Sequence, residues 1–217
     1  MKKNLNPFVS IWRSPRETVR SVLVHKGFWV IAILSFFGAW ASALFASLDA
    51  KNSQIDENAT FTQPSLPMEL ASSIIGGIAS VLIGGAFIAL LYWGIGKLLF
   101  KGQGTYMDLY KGSMLSALPF YIALPFILAF LIIYPNEFYN IDLNFDGVAM
   151  FLYAAVVVLG LVGSVYAFVV TIVMISEIHK ISKWKAFFTM FIPSFILFIV
   201  IMVIVVVLFM GLAAIGG

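Results

Sequence analysis

Five long apolar runs leave this chain few ways to fold. They cover Phe28 to Leu48, Leu70 to Phe100, Ser113 to Tyr134, Val148 to Ile175 and Phe187 to Leu212. A helix of about twenty apolar residues crosses the hydrocarbon core of a bilayer, where each backbone polar group must be satisfied within the segment. None of the five runs has an ionisable residue near its centre, and Lys97 lies at a border. Only 11% of the 217 residues are charged and 62% are hydrophobic, whereas soluble domains carry about a quarter charged residues. A water-soluble fold could not hide that much apolar surface. The sequence therefore predicts an all-α, polytopic membrane protein: a five-helix bundle over residues 28–217, preceded by an amphipathic interfacial helix within residues 1–27. The second and fourth runs exceed what a bilayer needs, which calls for tilt or protruding ends.

The connectors set the orientation. Lys2, Lys3, Arg13, Arg16, Arg20 and Lys26 precede the first run. Lys97, Lys101 and Lys111 flank the second connector, and Lys180, Lys183 and Lys185 the fourth. With five spans all of these fall on one side, and Lys51 alone falls on the other. Cytoplasmic loops collect Lys and Arg, so the amino terminus is expected inside and the carboxyl terminus outside. Trp12, Trp29, Trp93 and Trp184 fall at or near the same border, while Trp40 lies deeper and reads as bundle packing. Ala41-Ser42-Ala43 resembles a cleavage site, but residues 1–27 make too long a leader, so the first run is expected to remain as a span.

Ser14-Pro15-Arg16-Glu17 reads as a helix start, with Ser14 as cap, Pro15 in the first turn and Glu17 completing a capping box. Val19, Val22 and Leu23 then share one face, with Arg16 and Arg20 offset from it. Two readings stand for the segment carrying Trp12, Arg13, Arg16 and Arg20. It lies in the headgroup layer beside anionic lipid, or it docks a cytoplasmic partner.

Within the spans, Ser72, Gly76, Ser80 and Gly84 recur every fourth residue, with Gly77 and Gly85 beside them. Gly160, Gly163 and Ser164 repeat the device in the fourth span. Lipid tails are as apolar as leucine, so membrane helices associate where small residues let backbones approach. Such faces serve packing inside one bundle or a second subunit, including another copy of this chain. Pro119, Pro125 and Pro193 imply shaped or kinked helices.

Signs of chemistry are sparse. There is no cysteine, so thiolate metal sites and disulfides are excluded. Of the two histidines, His179 follows Glu177, but no HExxH pattern or further ligand set accompanies them. Gly102-Gln103-Gly104 lacks the third glycine of a nucleotide loop and reads as a turn. No catalytic residues, cofactor or metal are expected, and the dispersed basic residues give no nucleic-acid footprint. Asn58-Ala59-Thr60 forms a glycosylation sequon, relevant only in a eukaryotic host.

Three stretches together resemble a known family. They are Asn6-Pro7-Phe8 running into Ile11-Trp12-Arg13-Ser14-Pro15-Arg16-Glu17-Thr18-Val19-Arg20; Gly102-Gln103-Gly104-Thr105-Tyr106 with Ala117-Leu118-Pro119; and Glu177-Ile178-His179-Lys180-Ile181-Ser182-Lys183-Trp184-Lys185-Ala186. In order and spacing they resemble the bacterial branch of the Yip (Ypt-interacting protein) integral membrane family. That resemblance implies five spans, a cytoplasmic amino terminus and a bacterial inner-membrane location. It also implies a non-catalytic partner role, which some bacterial members fill as accessory subunits of MacB-type ABC exporters. The eukaryotic branch contacts Rab-type GTPases through a longer amino terminus, a role not carried over to this chain. A small-molecule transporter or channel and a membrane-shaping protein are the rival readings.

Overall fold

In the computed structural model, which describes residues 5–48, 50, 62–141 and 146–215, the chain is all helical. Two short helices come first. α1 (Pro7–Arg13) is capped by Asn6, whose side chain accepts the Phe8 N–H at 3.1 Å, and Pro7 occupies the first turn, where no N–H is needed. α2 (Pro15–His25) begins at Ser14, again with proline in its first turn. The capping box expected here does not form, because Ser14 also closes α1 and its own N–H is already donated to the Ser10 carbonyl at 2.8 Å. Glu17 has no free amide to reach back to.

Among the described residues, five helices are long and apolar enough to span a membrane. The first is α3 (Phe28–Ala46). The second runs through α4 (Leu66–Ala79), a π-helical turn (Ser80–Gly84) and α5 (Gly85–Phe100). The third joins α6 (Tyr106–Ala117), a 3-10 turn (Leu118–Ala123) and α7 (Leu124–Ile133), and the short α8 (Pro135–Tyr139) follows. The last two are α9 (Gly147–His179) and α10 (Lys183–Ile215).

Local chemistry explains the joints. Pro119 and Pro125 each remove a backbone donor, and the residues between them tighten into the 3-10 turn instead of breaking the helix. Asp146 caps α9 by accepting the Val148 and Ala149 amides at 2.9 and 2.8 Å. The Ala149 amide, with Tyr134 and Val148, holds its carboxyl below the usual carboxylate range. α5 and α9 both end in a left-handed lysine, Lys101 (φ 54°) and Lys180 (φ 57°). The Gly102 amide closes the first end on Gly96, and the Ile181 amide closes the second on Ser176.

The core has two parts. Toward the amino-terminal helices, Ile11, Val19 and Val22 pack with Leu109, Met114, Leu118, Val170 and Met174. Toward the other end, Leu44, Ile127, Phe130, Phe138 and Val156 form the second cluster. α1 and α2, within the segment expected to be amphipathic and interfacial, place Ile11, Val19 and Val22 in the core of the bundle. α10 packs on α5 and α9. Its described side chains from Ile196 to Val207 remain exposed, facing what would be lipid.

Ser10, Gln103 and Ser182 cluster at one end of this bundle and Asn140 at the other. Cysteines at Gln103, Ser10 and Ser182 are expected to react with an impermeant thiol reagent only after cells are opened. Cysteines at Asn140 and at Ser53, which lies outside the described residues, should react in sealed cells, with no native cysteine to confuse the reading. Labelling of the Gln103 position in sealed cells would overturn the inward amino terminus.

Candidate functional site

The final turns of α9 carry polar side chains into a position where lone charges are costly. Glu177 is only 4% exposed, and a buried carboxylate needs partners and hydrogen bonds to remain ionised. Its partners come from α2. Arg16 Nε donates to Oε1, Arg20 Nε donates to Oε2, and Lys180 Nζ lies 4.0 Å from Oε2. Spacing of four residues puts both arginines on one side of α2, so a single carboxylate holds both. The carboxyl terminus of α9 also carries the negative end of the helix dipole, which favours these cations further.

Aromatic contacts secure the rest of the amino-terminal segment. Trp12 stacks on Tyr166 with ring centroids 4.5 Å apart, and the Tyr166 hydroxyl donates to the Trp12 carbonyl at 2.6 Å. The Tyr121 hydroxyl donates to the Phe8 carbonyl at 3.1 Å. Arg13 stays exposed at the end of α1. Of the four residues singled out in this segment, Trp12, Arg16 and Arg20 thus bind the chain's own bundle. The apolar face of the segment is used inside the molecule, and its charged face remains outward.

His179, two residues beyond Glu177, is fully buried. Its Nδ1 accepts the Gly104 N–H at 3.2 Å, which places the ring proton on Nε2, 3.1 Å from the Tyr92 carbonyl. The main chain joins the same two segments, since the Gln103 N–H donates to the His179 carbonyl at 3.0 Å. A Cβ at Gly96 or Gly102 would overlap the imidazole, and one at Gly104 would stand 2.7 Å from Ile178 Cγ2. The glycine pair that reads as a plain turn is therefore the socket of a buried histidine. Sequence reasoning placed His179 at a border and missed this role. The available signal was three glycines, 96, 102 and 104, crowding one helix end.

The three stretches that carry the family resemblance, far apart in sequence, meet here. The amino-terminal helices lie on α9 through Arg16, Arg20 and Trp12, and the Gly102–Gly104 turn lies on its last residue.

The small-residue faces divide into two kinds. On α9, Gly160 receives the Phe45 ring at 2.7 Å from where a Cβ would stand, and Gly163 receives Phe120 at 3.4 Å. The Ser164 hydroxyl turns back to the Gly160 carbonyl at 2.8 Å. Gly160 and Gly163 serve internal packing, whereas Ser164 is exposed. In the second span it is the neighbouring column that does so. Gly77 lies against the Trp40 backbone, 3.1 Å from a would-be Cβ, and Ser73 accepts the Trp40 indole N–H at 3.0 Å. Ser72 and Ser80 are exposed, and Gly76 and Gly84 are half-buried, a would-be Cβ standing 3.7 Å from Ala43 Cβ at Gly76 and 3.9 Å from Ser80 Oγ at Gly84. Trp40, read as bundle packing, occupies that place.

Among the described residues, no group of three or more His, Asp or Glu stands together as a metal site. A family model described as the Yip1 domain matches residues 9–214. No curated protein and no solved structure matches the chain.

Proposed function

This chain belongs to the Yip1 domain family, and from that premise we propose that it is a non-catalytic partner or assembly protein. It binds another membrane complex side by side, with the subunits of a MacB-type ABC exporter in a bacterial inner membrane as the leading candidate. The observation that supports this reading is that Ser72 and Ser80 on the second span are exposed, beside half-buried Gly76 and Gly84. A bilayer provides no hydrophobic drive for helix association, so close backbone approach at small residues supplies the contact. The bundle already spends Ser73 and Gly77 on that task. The exposed Ser72 and Ser80 beside them are left to meet a helix from outside.

Leucines placed at Ser72 and Ser80 test this without touching the core, since both positions are exposed. The melting midpoint in mild detergent is expected to stay at the unsubstituted value. A transporter subunit recovered in stoichiometric amount with the unaltered protein should fall about tenfold, the effect of about 1.4 kcal/mol of lost helix contact. Recovery of the unaltered protein alone in several mild detergents would sink the proposal. The rival transporter reading has less support. Met114, Leu115, Leu118, Val170 and Met174, each at most 1% exposed, fill the space between the helices.

A further inference from the structure

The clamp around Glu177 carries more positive charge than the carboxylate neutralises. Arg16, Arg20, Lys180 and Lys183 stand against one carboxylate, leaving three positive charges at one membrane border. Both arginines meet Glu177 through Nε. Among the described residues the terminal amino groups of both guanidiniums have no protein acceptor, and the side chains are 61% and 48% exposed. Glu177 thus holds the two forks in place without using up their outer donors.

Beside Arg16 a cleft of about 310 Å³ opens between α2 and the start of α10. Arg16 and Lys183 form its basic sides, and Glu177 also lies in its wall. Ser182 adds a hydroxyl, the Ser176 hydroxyl is donated to the Ile181 carbonyl at 2.7 Å, and Val173 and Ile181 give apolar walls. The Ser182 carbonyl accepts the Ala186 N–H at 3.0 Å, so α10 starts at the cleft and its first amides have no partner within the helix. That end of a long helix is positive. Two neighbours mark the depth as the headgroup layer: Trp184, 74% exposed, and the lysine pair Lys183 and Lys185. Glu17, the nearest other acid in sequence, sits about 100° around α2 from Arg16 and makes no ion pair among the described residues.

We infer that this cleft holds the phosphate of an anionic phospholipid headgroup. Guanidinium forks match phosphate oxygens in shape as well as charge. Arg16, the guanidinium that lines the cleft, is preset by Glu177 and loses little freedom on binding. The apolar walls suit the glycerol and first acyl carbons, which a free phosphate lacks. Glu177 does not repel the ligand, because its oxygens face the arginines and only 4% of the side chain is exposed.

The test uses the full chain in nanodiscs of phosphatidylcholine, alone or mixed with phosphatidylglycerol. Melting midpoints are read together with the phospholipid retained in native mass spectrometry. Phosphatidylglycerol is expected to raise the midpoint and to survive delipidation as a bound molecule. Lys183→Gln should cut the retained fraction about fivefold, as loss of one lysine near an anionic surface implies, and remove the rise in midpoint. In phosphatidylcholine alone that variant should melt like the unaltered protein, since Lys183 makes no ion pair among the described residues. Lys97→Gln, at the same border but stacked on Trp93, should retain the lipid fully. Equal losses in the two variants, or none in either, would show diffuse surface charge and overturn the site. A rise in midpoint from inorganic phosphate in phosphatidylcholine discs would reassign the cleft to a free anion and overturn the lipid.

Discussion

Gly38→Ala is expected to leave no monodisperse, cooperatively melting protein in mild detergent. The added methyl group would overlap the Ala117 carbonyl oxygen, with the carbonyl carbon at 2.6 Å and Leu118 Cα at 3.0 Å. All three obstacles are backbone, so no side chain can rotate aside. Relief requires α3 to move off the 3-10 turn, which separates helices along their whole contact. Overpacking costs about 1–3 kcal/mol where side chains can yield, and a backbone obstacle belongs at or above the top of that range. Gly76→Ala is the control. Its methyl group would meet Ala43 Cβ at 3.7 Å, an ordinary contact, and alanine is the better helix former by about 1 kcal/mol. Gly76→Ala should melt at or above the unsubstituted midpoint, and Gly38→Ala melting there too would refute the close crossing.

The second large effect separates the two sides of one ion cluster. Removing Arg16 and Arg20 together strands a buried carboxylate, leaving Lys180 at 4.0 Å as its one ion-pair partner among the described residues. Breaking a buried pair from that side costs about 3–5 kcal/mol, and Lys180 places this case near the lower figure. Glu177→Gln acts from the other side. It returns two half-exposed guanidiniums to water and should cost about 1 kcal/mol or less, as for surface pairs. Hydrogen exchange over residues 7–25, read beside the melting midpoint, is the measurement. The double arginine variant should release the amides of α1 and α2 and Glu177→Gln should largely keep them. Equal exchange in both would show that aromatic packing alone holds the segment.

The spans were legible because each is a long apolar run, and their edges were not where polar residues continue the helix. The third span starts at Tyr106 instead of Ser113, since Asp108 and Lys111 lower the local hydropathy while Thr105 caps the helix on the Asp108 amide at 3.1 Å. The fourth runs on to His179 because Glu177 and His179 find buried partners that no local window displays. Pro119 and Pro125 announced a disturbed third span, whereas the π-helical turn at Ser80–Gly84 has no marker residue. Arg16 and Arg20 were visible as a spaced pair. Their acceptor, 161 and 157 residues away, was not, because a single sequence shows spacing along the chain and not proximity in space. The sequon at residues 58–60 lies outside the described residues.

The separation between Arg16 and Glu177 also sets a timetable. The clamp cannot close until the ribosome has made the last turn of α9, 161 residues after Arg16. At roughly 5–20 residues per second that is a wait of roughly 8–30 s. Throughout it the core around Ile11, Val19 and Val22, fully buried in the finished protein, is incomplete, since Leu109, Met114 and Leu118 precede Val170 and Met174 in the chain. An amphipathic helix with basic neighbours has one ready resting place in that interval, the headgroup layer. The arrival of α9 is thus the step that closes the clamp and completes the core around this segment.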